Sequence, residues 1–136
     1  MKPVIQEEET GCAIASSAAI AGVSYQEARK IAHSIGMYAE DSNLWSETNF
    51  IRKLIKKFGI KTGKKEIPFT GWESLPNCEL LSIKWHIERG KPHWHWVVFV
   101  REGGKSYVLD SKKTLKTNVR TDFGRMKPKW HIEVIA

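Results

Sequence analysis

Apolar residues recur at helical spacing through the first sixty positions and switch to alternation after position 80. Cys12-Ala-Ile-Ala-Ser-Ser-Ala-Ala-Ile-Ala21 reads as a helix of small residues, opened by Thr10 or Gly11. Ser24 and Glu27 have the spacing of a capping box for a second helix that ends near Gly36. A third helix is predicted from Ser46. Its residues Phe50, Leu54, Ile55 and Phe58 share one face, and Gly59 stops it. Residues 60 to 77, with Gly63, Pro68, Gly71 and Pro76, read as turns.

In the second half Leu81, Ile83, Trp85 and Ile87 alternate with Ser82, Lys84 and His86, the pattern of a half-buried strand. Glu88 to Pro92 turns the chain. Residues 94 to 101 are apolar on both faces and predict a central strand. Gly103-Gly104 predicts a two-residue hairpin into a strand over 105–110, and Trp130 to Ile135 forms the last strand. Helices first and an antiparallel meander second give an α+β domain. With a two-residue loop, Glu102 faces Lys105 and Val97 faces Asp110. His95 then lies on the face of Asp110, as a diagonal neighbour about 7–8 Å away along the backbone.

The chain of 136 residues carries no repeat, linker or low-complexity tract, so one domain spanning 1–136 is expected. Six tryptophans and 41% hydrophobic residues are enough for a real core and exclude a disordered chain. No apolar run is long enough to span a membrane, and the N-terminal residues lack an apolar signal segment, so a cytoplasmic protein is expected. The two cysteines, Cys12 and Cys78, do not make a disulfide framework. The net charge of +7 comes largely from Arg52 to Lys57, Lys61 to Lys65 and Lys112 to Lys129. A solvated basic surface accounts for it better than a nucleic-acid site, and an acidic peptide substrate suits it too.

Four residues carry the candidate chemistry. Cys12 opens a helix, Gln6 stands six positions before it, His95 enters an apolar strand, and Asp110 ends the next strand. A thiol, an imidazole and an orienting carboxylate are the parts of a nucleophilic cysteine site, and a nearby amide serves an oxyanion. Cys12 by itself fits a small buried hydrophobe. In the company of the other three it fits a thiolate at the positive end of a helix. Asp110 alone would begin a turn with Ser111. His93 and His95 share a strand face at a spacing that suits two metal ligands. No third or fourth ligand motif supports them, so neither metal nor cofactor is expected. Cys78 reads as structural.

The order Gln6, Cys12, His95, Asp110 resembles the papain-like cysteine peptidases. Their nearest branch is similar to the compact bacterial domains that trim double-glycine leader peptides from bacteriocins. The resemblance runs from Gln6 to at least Asp110. Relatives often carry a proline where this chain has Ser111, and here an acidic run, Glu7 to Glu9, precedes the thiol. The resemblance implies a papain-like fold, N-terminal helices on a C-terminal antiparallel sheet. It also implies Cys12 as nucleophile, His95 as general base, Asp110 as its orienter and Gln6 as oxyanion donor, acting on a peptide or protein. A same-fold amidase, a transglutaminase-like enzyme, a deconjugating enzyme and an inactive basic binding module remain the alternatives.

Overall fold

The computed structural model describes residues 1–135. The α+β class is as expected, with helices first and a mainly C-terminal antiparallel sheet. Helix α1 (Cys12–Ala21) matches the small-residue segment. Six of its first eight residues are Cys, Ala or Ile, and all eight are buried. Small side chains let α1 lie close against the sheet, with its neighbours α2 (Tyr25–Ser34) and α4 (Asn49–Lys57) on its flanks. The Ser24 hydroxyl accepts from the Glu27 N–H at 3.1 Å, the half of the capping box that matters most for helix start.

The third predicted helix starts at Asn49 rather than Ser46, as α4, and a separate short turn, α3 (Asn43–Ser46), precedes it. Ser42 and Glu47 bound the short piece, and the extended backbone at Glu47 breaks the run. Ile51, Leu54 and Ile55 form the buried stripe of α4, while Phe50 and Phe58 sit at its margins.

The sheet runs β1-β7-β3-β4-β5-β6, with β2 beside β7. Its long strands are β3 (Cys78–Glu88), β4 (Lys91–Glu102), β5 (Lys105–Leu109) and β7 (Trp130–Ile135). The short strands β1 (Lys61–Thr62), β2 (Ile67–Pro68) and β6 (Val119–Arg120), with the turn α5 (Phe123–Met126), fall in segments too short to show a period. β3, β4 and β5 form the expected meander, and β6, which was not expected, extends it. β7 does not extend it. It returns to the free edge of β3, which makes β3 as central as β4.

That placement changes the reading of β3. Leu80, Leu81, Ser82 and Ile83 are all buried, because both sheet faces are covered. The helices and Leu80, Trp96 and Val98 make one core. Leu81, Ile83, Val97, Phe99 and Val108 make a second, under Trp72, Leu75, Phe123 and Met126. The alternation expected through Ile87 also fails. A bulge between Ile83 and His86 puts Lys84 in the left-handed region (φ 54°) and carries Trp85 to the helix-side core, opposite Ile83.

Candidate active site

The β4–β5 hairpin has the short loop: Glu102 pairs with Lys105 and Val98 with Leu109. Gly103 and Gly104 take φ values of 58° and 77°, which a two-residue turn of this hand requires. Asp110 lies one residue past β5, on the face of His95, and its Oδ1 meets His95 Nε2 at 2.7 Å. Asp110 is 1% exposed and still keeps its charge. Burial alone would raise its pKa. The His95 bond, the Arg120 guanidinium and the Lys112 N–H overcome that and hold it at about 2.

An ionised carboxylate only accepts, so His95 Nε2 carries the proton of that bond. The other ring nitrogen is left for Cys12. Burial disfavours charge on His95, but the Asp110 hydrogen bond, the hydrogen bond with the Cys12 thiol and the charges of both partners raise it to about 9. The imidazole thus holds an extra proton at neutral pH. Cys12 itself is 5% exposed, at the open end of α1, where the first backbone N–H groups have no helical acceptor. The structure therefore brings together Cys12 from the start of α1, His95 from β4 and Asp110 from the end of β5.

Gln6 lies in the segment leading to α1 and is buried. Its Nε2 donates to the carbonyls of Glu9 (2.7 Å) and Glu8 (3.2 Å), and its Oε1 accepts from Ser111 Oγ at 2.8 Å. The Gln6 N–H also donates to the Ser111 carbonyl at 3.0 Å. Gln6 thus ties the segment leading to the thiol to the residue after Asp110. A proline at position 111 could not supply that hydroxyl. Two members of the acidic run are engaged elsewhere: Glu8 accepts from the Tyr25 hydroxyl and lies 3.5 Å from Arg29, and Glu7 lies 3.8 Å from Arg29.

Three supports of Asp110 escaped sequence reasoning. Arg120 Nη1 donates to Asp110 Oδ2 at 3.0 Å while its Nη2 holds Asp122 at 2.7 Å. Asn118 Nδ2 donates to the Asp110 carbonyl at 2.7 Å, and the Asp110 N–H donates to Asn118 O at 2.9 Å. Lys112 N donates to Oδ1 at 3.2 Å. All sit in a basic stretch whose charge hides them, and the only local signal is the pair of polar residues, Asn118 and Arg120, two apart.

His93 has a separate role. Its Nδ1 accepts from Trp45 Nε1 at 2.9 Å, and its ring stacks on His86 at 5.7 Å. Among the described residues, no three His, Cys, Asp or Glu side chains group as a metal site. No described helix is long and apolar enough to cross a membrane. The chain matches no protein-family model, and no match is found among curated proteins.

Proposed function

We propose that this chain is a papain-like cysteine peptidase, acting by acyl transfer through Cys12. The observation that carries the reading is the chain Arg120–Asp110–His95, with Cys12 among the groups that raise the imidazole. In this mechanism the Cys12 thiolate attacks a peptide carbonyl. His95 then gives its proton to the departing amine, and on the second half-reaction it takes a proton from the attacking water. Asp110 holds the ring in register and balances its charge. The Cys12 N–H at the helix end meets the developing oxyanion. Gln6 is the second donor once it exchanges one loop carbonyl for the oxyanion.

The test is a thiol-directed acyl probe applied to wild type and Cys12→Ala. Labelling at Cys12, with loss of all turnover in the variant, supports the peptidase. Wild-type turnover in Cys12→Ala ends it. Trapping the acyl-enzyme and identifying what accepts the acyl group separates hydrolysis from amidase, transglutaminase-like or deconjugating chemistry.

One feature favours a second reading, a basic binding module. Cavities of about 520 and 820 Å³ flank α4 and share Phe50, Lys53 and Lys56 among their walls, with Lys53 Nζ 5.6 Å from the Phe50 ring centre. Aromatic and cationic side chains so interleaved suit a nucleic-acid strand. Salt-dependent retention on single-stranded DNA or RNA by a Cys12→Ala protein would favour that account.

A further inference from the structure

We propose that Lys84 and Lys112 form an anion-recognition pair beside His95, selecting substrates whose leaving fragment carries a carboxylate. The inference rests on the reading of His95 as the group that protonates the leaving amine.

The geometry begins with the β3 bulge. Ile83 is the direct cross-strand partner of His95, and Lys84 follows it in a left-handed conformation that lysine seldom adopts. A backbone strained at a polar, exposed residue beside a reactive pair is a reason to look for a task there. Lys112 comes from the other side. Its N–H is bonded to Asp110 Oδ1, the oxygen that also holds His95. The two lysines thus flank the His95–Asp110 pair, one from β3 and one from just past β5. Partial burial, then the charges of Lys112 and Arg120, lower Lys84, with Asp110 pulling the other way.

The charge does not cancel locally. Asp110 is shared by His95 and Arg120, and Asp122 takes the rest of Arg120. Lys84 and Lys112 are left outside these ion pairs among the described residues. Two lysines that flank the pair and take no part in its ion pairs leave a positive rim that a carboxylate can complete. The departing amine must lie against His95 to receive its proton, so the fragment it belongs to is the part of the substrate that reaches this pair. The carboxylate comes either from an acidic side chain just beyond the scissile bond or from the free C-terminus of a short leaving fragment.

The experiment compares alkylation of Cys12 by iodoacetate, an anion, and iodoacetamide, its neutral counterpart, read by peptide mass mapping. The iodoacetate-to-iodoacetamide rate ratio is expected to exceed that of free cysteine by about tenfold at low salt, and to fall toward it at about 0.5 M salt. The imidazolium contributes part of this. Lys84→Gln and Lys112→Gln isolate the rest, and each should lower the ratio severalfold. A ratio unmoved by either variant and by salt overturns the proposal while leaving a live Cys12. A Cys12 no faster than Cys78 with both reagents removes the peptidase reading, and this proposal with it. Protection of Cys12 by Ala-Ala-Glu amide, or by Ala-Ala-Gln with a free carboxyl, identifies the source of the anion. Equal protection by Ala-Ala-Gln amide overturns the preference.

Discussion

Gly11 shows how tightly the approach to the thiol is built. A Cβ there would lie 2.2 Å from the Tyr25 hydroxyl, and Tyr25 is buried and held by Glu8. Gly11→Ala is therefore expected to destabilise the protein by about 1–3 kcal/mol. Adding Tyr25→Phe should recover part of that loss, as chemical denaturation of the pair will show. At the other end of the site, Asp110→Asn removes the charge that raises His95. The His95 pKa should drop from about 9 toward its ordinary range, read by NMR titration, and turnover should weaken without vanishing. The sign follows for stability. His95 is raised, so its contribution is complete below pH 6.5 and is lost as pH climbs to about 9. Asp110 is depressed, so its contribution is complete above pH 3.8 and is lost as pH falls through about 2. The variant should lose both limbs. The two thiols should also differ: burial, with Glu79 and Glu102, pushes Cys78 up to about 11, so Cys12 should alkylate faster at neutral pH.

At the scale of elements, β3 holds an unusual pair. Glu79 is fully buried, with Oε2 3.0 Å from His131 Nδ1 on β7 and Oε1 unpartnered. Burial first, then Glu133, raises Glu79 to about 8, while burial lowers His131. At neutral pH the pair is thus a carboxylic acid donating to a neutral imidazole. The unfolded chain ionises Glu79 from about pH 4.5 and the folded chain does not, so the Glu79 contribution to stability should fall between pH 4.5 and 8. Glu79→Gln keeps a donor and cannot ionise, so its denaturation midpoint should vary less over that window. The strongly periodic elements were legible in sequence: α1, α2, the β4–β5 hairpin and its register, hence the facing of His95 and Asp110. The place of β7 was not, because an edge pairing leaves no local pattern. The bulge at Lys84 was not, because nothing in Ser82-Ile-Lys-Trp-His86 marks a left-handed lysine. Arg120 and Asn118 were lost for a third reason: β6 has two residues, too few for any period.

For the molecule as a whole, the two covered faces of the sheet explain why a small domain holds two cores. One is shared with α1 and the other lies under residues 69–75 and α5. The Gln6–Ser111 clasp joins positions 105 apart in sequence. Closing so long a loop comes late, since its entropy must be met before its contacts form. The groups around Cys12 are thus assembled from the first and last thirds of the chain, and a partly folded molecule has no imidazolium against its thiol. Pulsed thiol labelling during refolding should show Cys12 gaining its reactivity only with the final phase, after the β4–β5 hairpin is protected from hydrogen exchange. Reactivity appearing earlier would mean that Cys12 and His95 meet without the clasp. In a cell, the same order of assembly would leave a growing chain without a paired thiol until it is whole.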